Sequence, residues 1–202
     1  MFKVEEGKCP LCGQSNCDVL EDHLVAFTGD YDYWGDPIIL KLCVNCHRAI
    51  HRCCWALISQ ESEAIVDRYL ALLESSLPRS LAQALQTELT AVKDSVVREY
   101  SRVEGYDLGR ETSGEKECVL CGCMNPDYME EHVVASPEEI IYLKTPVTVD
   151  LCGNCHRVVL KFYDGKVLPE SEQSKSLLHE YVAKFEQSLP ERIRKKLSDF
   201  LP

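Results

Sequence analysis

The stretch LCVNCHRAIH, Leu42–His51, returns as LCGNCHRVVL, Leu151–Leu160, and its reading decides the fold. The offset that superimposes these two stretches also carries Cys9, Cys12 and His23 onto Cys118, Cys121 and His132 without a gap. Farther along, after a short insertion near KFYDGK, the run YLALLESSLPRSLAQAL from Tyr69 matches YVAKFEQSLPERIRKKL from Tyr181. Matches held at one spacing over most of a chain are the mark of internal duplication. The sequence therefore predicts two copies of one module, residues 1–107 and 110–202, joined through the Gly- and charge-rich EGYDLGRETSGEKE.

Within 202 residues each copy is small enough that a hydrophobic core alone is only marginally sufficient. The 12 cysteines supply the missing constraint. No apolar run approaches the roughly 18 to 20 residues that span a bilayer, and no basic-then-apolar leader is recognisable, so a cytoplasmic, reducing setting without membrane contact is expected. There, paired cysteines hold metal more often than they cross-link. Each copy has C-x2-C followed by a second C-x2-C: Cys9, Cys12, Cys43 and Cys46, then Cys118, Cys121, Cys152 and Cys155. Four thiolates from two tight turns close a tetrahedron around zinc, so two structural Zn2+ ions are expected. A thiol redox protein explains neither the spacing nor its repetition. Cys17, Cys53, Cys54 and Cys123 have no counterpart between the copies and are expected to pack as small hydrophobes.

Between the knuckles lie short β-branched runs, HLVAF and IILKLC in the first copy, HVVAS and VTVDLC in the second, which suit paired strands. Helical periodicity follows. Ile65, Tyr69, Leu72, Leu73 and Leu77 share one face, and Leu81, Leu85, Leu89, Val92 and Val96 another after Pro78. Leu178, Tyr181, Phe185, Leu189, Ile193 and Leu197 repeat the pattern. The fold class is α+β.

The chemistry-bearing residues sit beside the knuckles. The first copy reads EDH at Glu21–His23, the second EEH at Glu130–His132. If the second knuckle opens a helix, His47 and His51 are four apart and share a face, the arrangement by which two imidazoles reach one ion. Asp22 from the strand is expected to add an oxygen ligand, leaving His23 as a base. This combination of paired cysteines, an acidic-His pair and LC-x-N-C-H-R resembles the HNH nuclease family over about 45 residues of each copy. The resemblance implies two ββα-metal zinc modules, each followed by helices, and metal-dependent hydrolysis of DNA phosphodiester bonds. It assigns general-base catalysis to His23, with His132 in the equivalent position, and places a catalytic Mg2+ or Mn2+ near Asp22, His47 and His51. Arg48 then either meets a phosphate oxygen or balances the acidic zinc cluster.

The pattern departs from the family where an asparagine is usual, at Ile38 and Val147, and the second copy has Leu160 in place of His51 and Glu131 in place of Asp22. The second copy is accordingly expected to be weaker or purely structural. A formal net charge of −11 excludes affinity for nucleic acid through overall basicity. Two readings stay open: an endonuclease acting on DNA through the first copy, and a non-catalytic tandem zinc module for nucleic-acid or protein interaction. In FTGDYDYWGDP, Asp30, Asp32 and Gly35 briefly fit a calcium loop, but Trp34 and Lys41 occupy ligand positions. Its rings are expected to pack on their own module. The basic Arg192, Arg194, Lys195 and Lys196 are read as a solvated helix face.

Overall fold

The computed structural model describes residues 7–30, 33–53, 58–101, 116–140, 144–163 and 169–198, without the side chains of 92–101, 192 and 196–198. Cys54, most of the linker, Tyr31, Asp32, the side chains of Val92, Val96, Arg192, Lys196 and Leu197, and part of the KFYDGK insertion lie outside the described residues. The architecture is α+β, with small antiparallel sheets among helices. None of the described helices is long and apolar enough to cross a membrane.

Two units are resolved. The first comprises Met1–Ser15, Leu20–Glu115 and Asn125–Asp127; the second comprises Asn16–Val19, Lys116–Met124 and Tyr128–Pro202. In the first unit β1 (Leu20–Ala26) pairs antiparallel with β2 (Ile38–Cys43), which runs directly into α1 (Val44–Cys53). The helices α2 (Gln60–Ser76) and α3 (Arg79–Ser101) follow. In the second unit β3 (Met129–Ala135) pairs with β4 (Val147–Cys152), followed by α4 (Gly153–Tyr163), α5 (Glu172–Phe185) and α6 (Glu191–Ser198).

The two hairpins have the same register. Leu20 faces Cys43 and His23 faces Leu40; Met129 faces Cys152 and His132 faces Val149, with a register break before Ala26 and again before Ala135. Pairing with β2 extends β1 three residues upstream of the apolar HLVAF run, so Glu21 and Asp22 are strand residues despite their weak β-propensity. Alternation then turns Glu21, His23 and Val25 to one side and Asp22 and Leu24 to the other, which fixes the site described below.

The helices close each unit. In α2 the buried Ile65, Val66, Tyr69 and Leu73 make the apolar stripe, and Leu72 is only half-buried. Leu77 is extended (φ −99, ψ 158) because Pro78 follows, which ends α2 and lets α3 begin. Leu178, Tyr181, Leu189 and Ile193 form the corresponding core of the second unit.

Both α2 and α5 start on a serine cap reinforced by an Asn-x-Asp segment that the sequence reading missed. Ser59 accepts from the Ser62 amide at 3.3 Å, while the Ser59 amide donates to Asp127 at 2.7 Å and Ser59 Oγ to Asn125 at 3.1 Å. In the second unit Ser171 accepts from the Ser174 amide, its own amide donates to Asp18 at 3.0 Å, and its Oγ donates to Asn16 at 2.7 Å. Asn16, Asp18, Asn125 and Asp127 are all buried; the aspartates accept the amides of the cap serines and the asparagines accept their hydroxyls. Arg52 lies 3.4 Å from Asp127 and Lys161 3.6 Å from Asp18.

The expectations for the aromatic loop fail, and those for the unmatched cysteines and the basic helix face hold in part. Phe27 and Trp34 are 56% and 79% exposed, so these two rings do not pack on the module; the loop is instead held by polar bonds, Phe27 amide to Asp30 at 2.7 Å and Tyr33 hydroxyl to the Asp36 carbonyl. Cys17 is exposed because its turn directs Asn16 and Asp18 inward. Cys123 is half-buried, and Cys53 is buried with its thiol on the Ile50 carbonyl. Arg194 and Lys195 are exposed on α6.

Candidate metal centres

Each first knuckle is a tight turn closed by backbone bonds. The Gly13 amide donates to the Cys9 carbonyl and the Cys9 amide to the Gln14 carbonyl, both at 2.8 Å; Gly122 and Cys118 repeat the pattern. Gly13 and Gly122 have φ of 77° and 70°, the left-handed region that glycine enters without Cβ strain. Cys43 and Cys152 end strands, while Cys46 and Cys155 lie in the first turn of α1 and α4. These placements bring Cys9, Cys12, Cys43 and Cys46 together, and likewise Cys118, Cys121, Cys152 and Cys155, with the sulfurs of each set within 4.8 Å of one another.

The sulfurs of Cys12 and Cys43 lie 3.5 Å apart and those of Cys121 and Cys152 3.6 Å, far beyond a disulfide bond. Zinc with bonds of about 2.3 Å sets tetrahedral sulfurs roughly 3.8 Å apart, so both groups are geometrically suited to it. A hydrogen bond with Cys43 draws Cys12 down to about 7, and one with Cys121 draws Cys118 down to about 6. Bonds with the same neighbours hold Cys46 and Cys155 up.

A third group lies beside the first cluster. His23 from β1 and His47 and His51 from α1 each offer one ring nitrogen, and these lie within 4.8 Å of one another. The i, i+4 spacing aligns His47 with His51, whose Nε2 atoms face each other at 2.9 Å. Nδ1 of His47 donates to Glu21 on the same side of β1 as His23. His23 is 6% exposed, and its Nε2 lies 3.0 Å from the Tyr69 hydroxyl. Burial pushes it down to about 4, assisted by His47 and His51, so it is neutral at pH 7. His51 is also lowered by burial, and it is the exposed member of the three.

Asp22 does not join this group. Strand alternation turns it to the opposite face, where it pairs with Lys41 at 2.7 Å and is 63% exposed. Glu21 takes the carboxylate place near the imidazoles, a role that alternation along EDH would have revealed. His23, expected to serve as the base, is buried against Tyr69 and grouped with the other two imidazoles. Ile38, at the family's asparagine position, begins β2, and Arg48 is half-buried on α1.

The second unit has the same frame but not the same donor set. Glu130 accepts from Nδ1 of His156, and the His132 and His156 rings are 5.1 Å apart. His132 is buried, lowered to about 4 mainly by burial, with its Nε2 3.1 Å from Tyr181. Leu160, where the first copy has His51, is 41% exposed, and Tyr163 stacks edge-on against His132 at 5.3 Å. Among the described residues, no three-histidine group forms there.

Compared with protein-family models, curated proteins and solved structures, the chain matches none. The functional reading therefore rests on these sites alone.

Proposed function

We propose that this chain is a metal-dependent endonuclease of HNH type, built on two zinc-stabilised ββα modules and working through the three-histidine group of the first. The observation that carries the reading is the convergence of His23, His47 and His51 in one half of a duplicated chain, next to a four-cysteine cluster. A ligand set of three imidazoles leaves room for substrate, and a divalent ion there supplies a Lewis acid for a phosphoryl oxygen. Glu21 holds the His47 ring, Tyr69 holds His23, and exposed His51 marks the side from which a phosphodiester enters. Neutral nitrogen donors without a carboxylate favour Zn2+, Ni2+ or Fe2+ over the Mg2+ or Mn2+ expected from the sequence. The acidic chain gives no general attraction to DNA, so engagement depends on this ion and on local cations such as Arg48.

The test is nicking of supercoiled plasmid by the full chain with added divalent ions. Cleavage that needs the added ion, and disappears in His47→Ala and His51→Ala while two zinc ions remain, supports the enzyme. Cleavage unchanged in both variants removes it.

A second reading, a non-catalytic tandem zinc module that binds nucleic acid or protein, is favoured by the burial of His23 and by Ile38 in the family's asparagine position. It predicts ion uptake at the histidines with no cleavage under any metal.

A further inference from the structure

We propose that Tyr69 is a positioning residue for the third metal site, holding Nε2 of His23 so that Nδ1 is the ring nitrogen left to meet an ion; this rests on the three-histidine site proposed above. In the second unit the corresponding hydrogen-bond chain has a readable direction. Tyr163 Oη lies 3.1 Å from the Val134 carbonyl, which can only accept, so the single Tyr163 proton goes there. Tyr163 Oη must then accept from Tyr181, 2.7 Å away, and Tyr181 Oη in turn must accept from Nε2–H of His132 at 3.1 Å. His132 is thereby an Nε2–H tautomer with Nδ1 unprotonated.

His23 and Tyr69 occupy the corresponding places, a buried pair at 3.0 Å joining β1 to α2. With Nε2 committed to Tyr69, Nδ1 is the nitrogen left to His23 for an ion. His47 is set the other way: Nδ1 is held by Glu21, so Nε2 is the free donor, and it faces Nε2 of His51. Two outer partners, a carboxylate and a phenol, thus assign the binding nitrogen of two of the three rings before any ion arrives. Outer partners of this kind alter metal affinity about 10- to 100-fold when removed.

The experiment uses the full chain with zinc in both four-cysteine clusters, titrated with Co2+ and followed by visible absorption, in which nitrogen-bound Co2+ lacks the thiolate charge-transfer bands of a displaced cluster. Tyr69→Phe is expected to weaken Co2+ binding at the histidines about 10- to 100-fold and change its spectrum. Tyr181→Phe removes the same atom from a matched buried pair and is expected to leave that binding unchanged. Equal affinity and spectrum in Tyr69→Phe, or equal weakening by both variants, overturns the inference while leaving the site. Absence of a third ion in the unaltered chain instead overturns the three-histidine reading itself.

Discussion

The Glu21 carboxylate accepts a hydrogen bond from Nδ1 of His47, and Glu130 holds His156 in the same way. Two acidic residues precede each strand histidine, and only the first of them reaches the helix. Glu21→Gln is therefore expected to weaken ion uptake at the histidines about 10- to 100-fold. Asp22→Ala loses only an exposed pair with Lys41, worth about 0–1 kcal/mol. Competition titrations on zinc-loaded protein separate the two; a larger effect from Asp22→Ala would mean that strand alternation has been misassigned.

Loss of zinc is expected to unfold rather than merely loosen each unit, because small modules depend on the metal for much of their folding energy. Cys9→Ser and Cys118→Ser should each lower the zinc content by one ion relative to the unaltered chain in elemental analysis. An unchanged zinc content in either variant contradicts the four-sulfur assignment.

The buried helix-start anchors should show clearly in stability. Asp127→Ala removes the acceptor for the Ser59 amide and the partner of Arg52, at a cost of about 1–3 kcal/mol in urea unfolding. Asp18→Ala should cost a similar amount through Ser171 and Lys161. Hydrogen exchange is expected to accelerate first at the start of α2 in the former and of α5 in the latter.

Acid should destabilise the fold in two stages. Burial pushes His23 and His132 down to about 4. In the unfolded chain they take up protons near 6.5, so their contribution is complete above that pH and declines as pH falls toward 4, by an amount of the order of 3 kcal/mol each. For Asp18 and Asp127 burial alone would raise the carboxyl, but amide bonds, from Ser171 and Ser59 respectively, and serine hydroxyls outweigh it and lower both below the usual 3.8. Their contribution is present above that value and disappears as pH falls through the lower folded values. Proton NMR titration of His23 and His132 checks the first stage; midpoints near 6.5 would refute it.

Leu160→His should give the second unit the missing donor. Leu160 is 41% exposed and four residues beyond His156, so the change costs little packing. Uptake of one further Co2+ by the variant is expected, and no increase would mean that Tyr163 blocks the position.

Much of the metal framework was legible because C-x2-C spacing and its repetition translate directly into sulfurs around one point. The i, i+4 relation of His47 and His51 was equally readable once α1 was placed after Cys43. Which acid accompanied them was legible only through strand alternation, because EDH offers two carboxylates and only the one on the side of His23, Glu21, reaches the helix. Tyr69 appeared in the sequence as one more member of an apolar stripe, since periodicity reports burial and not the hydroxyl's partner. Asn16-x-Asp18 and Asn125-x-Asp127 were hidden for a different reason: their partners lie more than sixty residues away along the chain.

Those Asn-x-Asp segments give the duplication a property of its own. Residues 125–127 fall within the first unit and residues 16–19 within the second, so each half of the gene product lends a few residues to its sibling's stability. A deletion that discards the carboxy-terminal half as redundant would therefore leave the surviving half with the start of α2 unanchored.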